Sequence, residues 1–140
     1  MPRVYLSLGS NLGDREAMLN EALLRLEAEG VHVVRRSRMV PTAPQYVVDQ
    51  PEFLNIAVEV ETEHFVTELL RRTQAVEKAM GRVKLRDKGP RNIDIDILLF
   101  DELTLRSPKL NIPHLHMYER PFVLIPLAEI APHLVPAGLK

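Results

Sequence analysis

Between residues 54 and 61 the chain alternates strictly: Leu54, Ile56, Val58 and Val60 are apolar, and Asn55, Ala57, Glu59 and Glu61 stand between them. A period of two belongs to a β-strand, so this segment predicts a strand with one buried face and with Asn55 pointing away from the core. Such a strand needs partners and a covering layer, and the flanking sequence offers both. Residues 4–8 read as a short buried strand running into Gly9-Ser10-Asn11-Leu12-Gly13-Asp14, a turn rich in residues that tolerate unusual backbone angles. Asp14 then caps a helix whose stripe is Met18, Ala22, Leu23 and Leu26 and which stops at Gly30. Residues 31–40 predict a second strand, ended by Pro41-Thr42-Ala43-Pro44.

After the alternating strand, residues 65–80 carry Val66, Leu69, Leu70, Thr73, Val76 and Met80 on one helical face and end at Gly81. Residues 82–92 show no apolar periodicity and contain Gly89-Pro90, which predicts a mobile loop, and residues 93–100 predict another strand. The order strand, helix, strand, strand, helix, strand is the split pattern of a ferredoxin-like βαββαβ sheet, an α/β (α+β) class. The last forty residues, with prolines at 108, 113, 121, 126, 132 and 136, predict loops, a short helix near Glu119 and edge elements.

At 140 residues one domain over 1–140 is expected. Eighteen basic residues balance nineteen acidic ones, so the whole-molecule field draws in neither nucleic acid nor an anionic membrane, and any phosphate affinity must be local. No segment has the apolar length of a membrane span, and the absence of cysteine suits a reducing compartment, which together predict a cytoplasmic protein.

Asp94 and Asp96 lie two apart in a strand whose other face is Ile93, Ile95, Ile97 and Leu99, so both carboxylates leave the same side, roughly 7 Å apart at their α-carbons. Paired hard oxygens suit magnesium, which completes its shell with water and substrate phosphate; the same pair also fits a plain solvated strand face. Just before it, Arg82, Lys84, Arg86, Lys88 and Arg91 meet one acid, Asp87. Such a run can simply solubilise a loop, but beside paired aspartates it forms the constellation expected for phosphoryl transfer. The Gly9–Gly13 turn lacks the spacing of a P-loop. His114 and His116 have no third nitrogen or thiolate in view for zinc, which leaves a histidine donating to phosphate oxygen as the better reading. Phe53 and Phe122 read as core residues or as plates for a flat heterocycle whose donors and acceptors Asn55 would meet.

Four segments, 8–14, 49–55, 89–98 and 113–127, then resemble the 6-hydroxymethyl-7,8-dihydropterin pyrophosphokinase family, in family order over nearly the whole chain. The resemblance implies a three-layer α/β/α sandwich built on the ferredoxin-like core. It also implies ATP-dependent transfer of pyrophosphate to the pterin hydroxymethyl group, giving AMP and the pterin diphosphate in folate synthesis. By the same resemblance Asp94 and Asp96 are ligands of two Mg2+ ions, and Arg82 and Arg91 join them in catalysis. Gln74, Glu77, Arg82, Lys84, Arg91, Lys109, His114 and Arg120 match ATP contacts, and Thr42, Pro44, Phe53, Asn55 and Phe122 match the pterin pocket. ATP and the pterin are the implied partners, with no nucleic acid or membrane, and the chain is expected to be a monomer. Lys88, Lys109, Leu115 and Tyr46 depart from residues frequent in the family, respectively tryptophan, arginine, tyrosine and glycine. The bare D-x-D pair would also serve another metal-dependent nucleotide transferase, for which 140 residues are few. A ferredoxin-like RNA-binding module would show a basic surface and exposed strand aromatics instead.

Overall fold

A computed structural model describes residues 1–42, 51–81 and 92–139. Its elements are β1 (Val4–Ser10), α1 (Arg15–Ala28), β2 (Val31–Arg36), β3 (Val40–Thr42), β4 (Phe53–Thr62), α2 (Val66–Ala79), β5 (Asp94–Phe100), β6 (Leu105–Arg106), β7 (Asn111–Ile112) and α3 (Pro121–Ile130). The main sheet has the order β2-β4-β1-β5 with every neighbour antiparallel, and β3 pairs β4 beyond the end of β2. With α1 and α2 as the crossovers, this is the ferredoxin-like βαββαβ arrangement.

Local chemistry explains the helix ends. Asp14 Oδ1 accepts the Ala17 N–H at 3.1 Å to start α1, and Gly30 follows it at φ +81°, a conformation that glycine adopts without strain. The buried stripe of α1 is Leu19, Ala22, Leu23 and Leu26, with Met18 only partly covered, so the stripe enters one residue later than the spacing predicts. The stripe of α2 keeps Val66, Leu69, Thr73 and Val76 inside, as read from the sequence.

Four expectations change in the sheet. Gly9 and Ser10 belong to β1, so the turn is only Asn11 to Asp14. The predicted strand over 31–40 divides at Ser37, whose Oγ accepts the Ala57 N–H at 3.0 Å and so takes a ladder acceptor's place. Pro41 does not end pairing: it sits inside β3 opposite Leu54, at an edge where a missing N–H costs little. In β5 the register against β1 shifts between Tyr5 and Leu6, so Leu98 has no Cα partner there. The alternation therefore slips, and Leu99 turns to the face opposite Ile97 while Phe100 takes the place predicted for Leu99.

The third layer is α3. Pro121 sets its first turn, and Val123, Leu124, Leu127 and Ile130 bury against Tyr5, Ala57 and Leu98, completing the α/β/α sandwich. Only a single 3-10 turn, Met117–Glu119, occupies the predicted short helix near Glu119.

Candidate active site

The cross-strand register places three rows of side chains on the α3 side of the sheet: Glu59, Tyr5 and Leu99; then Ala57, Ser7 and Asp96; then Asn55, Gly9 and Asp94. The apolar cluster under α3 takes in Tyr5 and Leu99 of the first row and Ala57 of the second. Toward the other end the floor is small, Ala57, Ser7 and Gly9, and its walls are polar. Asp94 and Asp96 stand together on this face, each partly exposed, as the two-residue spacing predicts. Asn55 and Asp94 lie on the strands either side of Gly9, about 10 Å apart across two strand spacings.

Asn55 is on the face expected, but it is 2% exposed rather than solvated. Its Nδ2 donates to Thr42 Oγ1 at 2.6 Å, which fixes the amide so that Oδ1 looks toward Gly9. A Cβ on Gly9 would sit 2.8 Å from that oxygen and 3.5 Å from Phe53 Cδ1, so the floor must be glycine here. Asn11 Nδ2 donates to the Pro51 carbonyl at 3.0 Å and Arg15 Nη1 to that of Glu52 at 2.9 Å, holding the segment that enters Phe53. Phe122 is partly buried on the α3 side, with the Arg120 guanidinium 5.6 Å from its ring centre.

Beside the aspartates a cavity of about 360 Å³ opens along β5, where Gln74 and Glu77 of α2, Lys109 and His114 line it together with Asp94 and Asp96. Glu77 Oε2 accepts the Ile95 N–H at 2.8 Å, so α2 holds the edge strand between the two carboxylates. Asn92 Nδ2 donates to the Met80 carbonyl at 3.0 Å and ties the entry of β5 to the end of α2. His114 is hung on the β5 bulge: its N–H donates to the Leu98 carbonyl at 2.9 Å. Its Nε2 is 4.0 Å from Asp96 Oδ1. Burial first, then the positive charge of Arg120 and the neighbouring His116, push the imidazole down to about 4 against the pull of Asp94. It is therefore neutral near pH 7, and its contact with Asp96 is no ion pair there. Among the described residues, His114 Nδ1 is buried without a hydrogen-bond partner.

The chemistry of the donors fits magnesium better than a softer ion. Among the described residues no group of three histidine, cysteine or acidic side chains could close a zinc-like shell, whereas two carboxylates on an open face suit an ion that keeps water and phosphate oxygens.

Of the residues singled out in the sequence, Gln74, Glu77, Asp94, Asp96, Lys109 and His114 meet at one cavity, and Thr42, Phe53 and Asn55 meet around Gly9. Arg120 and Phe122 pair with each other. Pro44, Arg82, Lys84 and Arg91, with the rest of the basic run from 82 to 91, lie outside the described residues. From the sequence Gly9 and Asn11 read as parts of a tight turn, and Arg15 and Asn92 carry no assigned role, whereas here all four brace the strands around the aspartates and Asn55. For Gly9 the signal was there: a glycine inside a strand pattern marks a close approach.

This constellation can be set beside known proteins. Residues 5–132 match the family described as 7,8-dihydro-6-hydroxymethylpterin-pyrophosphokinase (HPPK). The chain belongs to this family. It is 48% identical over 139 residues to a 2-amino-4-hydroxy-6-hydroxymethyldihydropteridine pyrophosphokinase of Methylorubrum extorquens, covering 99% of this chain and 88% of that one. Against the enzyme of the same name from Bacillus subtilis it is 46% identical, covering 90% and 76%. The mitochondrial folate synthesis bifunctional protein of Pisum sativum is 44% identical over 91% of this chain, which spans 25% of that protein's length. A crystal structure of Plasmodium falciparum HPPK-DHPS superposes with a TM-score of 0.70 at 16% identity, covering 100% of this chain and 42% of that one, and so shares the fold. The chain is accordingly an enzyme of folate synthesis that transfers pyrophosphate to hydroxymethyldihydropterin, with ATP as co-substrate.

Proposed function

We propose that this transfer takes place on the open end of the α3 face, with the pterin on the Asn55 side of Gly9 and the ATP polyphosphate on the Asp94 and Asp96 side. The observation that carries the reading is the register row Asn55, Gly9, Asp94, which sets a buried, oriented amide and a paired carboxylate on either side of a floor without side chains. Asn55 offers Oδ1 to ring N–H donors while Thr42 holds its other end. Phe53 and Phe122 supply flat apolar area to the ring, and Pro44 is assigned to the pterin by the family resemblance alone.

On the nucleotide side Gln74, Glu77, Lys109 and His114 line the cavity, His114 as a neutral hydrogen-bonding group, with Arg120 near it and Arg82, Lys84 and Arg91 contributing positive charge. Asp94 and Asp96 would hold two Mg2+ ions, which would neutralise charge on the phosphates. The pterin hydroxyl oxygen attacks the β-phosphorus and releases its proton to solvent, the bond from that phosphorus to the α-bridging oxygen breaks, and AMP leaves with that oxygen; Arg82 and Arg91 steady the charge that moves. The unit is a single pyrophosphokinase domain over 1–140, working as a cytoplasmic monomer. Among the described residues no helix is long and apolar enough to cross a membrane.

A binding titration tests the placement. 6-Hydroxymethylpterin, added with Mg2+ and α,β-methylene-ATP, is expected to bind the unaltered protein and to lose affinity in Asn55→Ala. Full pterin affinity in that variant would contradict the Asn55 assignment.

A further inference from the structure

Arg106 is absent from the cavity lining, yet its guanidinium ties together the wall that faces Asp96. That wall is a weak element. β6 and β7 pair over only two residues each, Leu105 with Ile112 and Arg106 with Asn111, and so short a ribbon does not support itself in water. Its tip is closed by Ser107, whose N–H donates to the Leu110 carbonyl at 3.2 Å and whose Oγ accepts the Leu110 N–H at 3.1 Å. Fully buried Ile112 fastens the returning strand to the core. Lys109 rides on the tip between these anchors.

Arg106 adds the remaining constraint. Its Nη1 donates to the carbonyls of Leu105 at 2.9 Å, Ile112 at 2.9 Å and Pro113 at 3.3 Å, two hydrogens shared among three acceptors. Hydrogen bonds from a charged donor are the stronger kind. Pro113 immediately precedes His114, whose own N–H is taken by the Leu98 carbonyl. The peptide that presents the imidazole is thus held from the β5 side by Leu98 and from the hairpin side by Arg106.

We infer that Arg106 is a positioning residue for the nucleotide, acting through the main chain of the β6–β7 hairpin on His114 and Lys109. The inference rests on the reading of the cavity as the nucleotide site. Without the guanidinium the hairpin and the His114 peptide have to be ordered by the ligand, and that entropic cost appears as weaker binding.

The test is a titration of Mg2+ and α,β-methylene-ATP into the intact protein and its variants, with thermal unfolding measured in parallel. Arg106→Ala is expected to weaken nucleotide binding about tenfold, and Arg106→Lys to restore part of the loss because it keeps a cationic donor. The exposed position predicts an unfolding midpoint close to that of the parent. In a His114→Ala background, removing Arg106 should cost less than it does alone, since part of its effect has gone. Unchanged affinity in Arg106→Ala, or an equal loss in both backgrounds, overturns the inference while the cavity remains the nucleotide site. An Arg106→Ala protein already unfolding at the assay temperature would assign Arg106 to stability alone and overturn it too. Unaltered affinity in His114→Ala would instead remove the reading of the cavity, and the role of Arg106 with it.

Discussion

The two faces of one sheet divide the labour of this molecule. Toward α1 and α2 the rows are Val60, Val4 and Phe100; Val58, Leu6 and Ile97; Ile56, Leu8 and Ile95, all apolar and all in one buried cluster. Toward α3 the rows begin with Tyr5 and Leu99 but end with Asn55, Gly9 and Asp94. The cause is coverage. Two fourteen-residue helices close the first face, whereas α3 has ten residues and spans about 15 Å of a sheet whose β1 alone is about 23 Å long. Along β5 the cover is incomplete: Asp94 and Asp96 stay partly exposed and can meet ligands at little burial penalty, while Asn55, Ser7 and Ala57 beside them are buried. A short third layer is thus what leaves room for chemistry.

The largest test of this contrast is at the uncovered end. Asp94→Ala or Asp96→Ala should lower kcat by at least about a thousandfold, since each removes charge used to hold phosphate-bound metal. Both variants should fold, because the carboxylates are partly exposed and relief of their mutual repulsion offsets lost contacts. Near-normal turnover at saturating Mg2+ would break the assignment. At the covered end the expected effect is on stability: replacing Leu127, fully buried on the inner face of α3, by alanine should cost about 2–5 kcal/mol. Urea unfolding measures it, and a loss of kcat as deep as that of the aspartate variants would contradict the division between the two ends.

Gly9→Ala sharpens the comparison from the floor between them. The new methyl group meets Asn55 Oδ1 at 2.8 Å, and an overpacking strain of about 1–3 kcal/mol should raise the KM for the pterin about tenfold while leaving the ATP KM nearly unchanged. Equal changes in both constants would mean that the floor is not specific to the pterin side.

The smallest effect lies outside the site, in an exposed pair between α1 and the edge strand β2. Glu27 Oε2 is 2.9 Å from His32 Nδ1, and this hydrogen bond raises the histidine's pKa and lowers the carboxylate's. A raised folded-state pKa means that the charged pair stabilises fully below the ordinary histidine value and that the benefit is lost as pH rises through the shifted one. His32→Gln should therefore lower the unfolding midpoint slightly near pH 6 and hardly at all near pH 8; the opposite ordering would contradict the pairing.

The better-covered face was also the more legible one. Leu69, Thr73 and Val76 recur at helical spacing and Ile56, Val58 and Val60 at strand spacing, so periodicity alone located α2 and β4. Periodicity failed where an irregularity mattered. No residue type announces the shift at Leu98 that turns Leu99 to the α3 side and frees a carbonyl for the His114 N–H. The helix α3 was hidden by its prolines, because Pro121 favours a first turn whereas Pro126 removes an interior donor, and a nearly continuous apolar run shows no stripe. For the candidate site, Asp94 and Asp96 were visible as a pair from spacing, but the distance of either from Asn55 follows from strand order, which the local sequence does not carry.

The most direct measurement of the central claim, that the open end of the α3 face transfers a pyrophosphoryl group, is a product analysis with ATP labelled at the γ-phosphate, Mg2+ and 6-hydroxymethyl-7,8-dihydropterin. The expected result is stoichiometric AMP with the label in a doubly phosphorylated pterin, and loss of both products in Asp96→Ala. ADP with a singly phosphorylated pterin, or undiminished pterin diphosphate from Asp96→Ala, would contradict it.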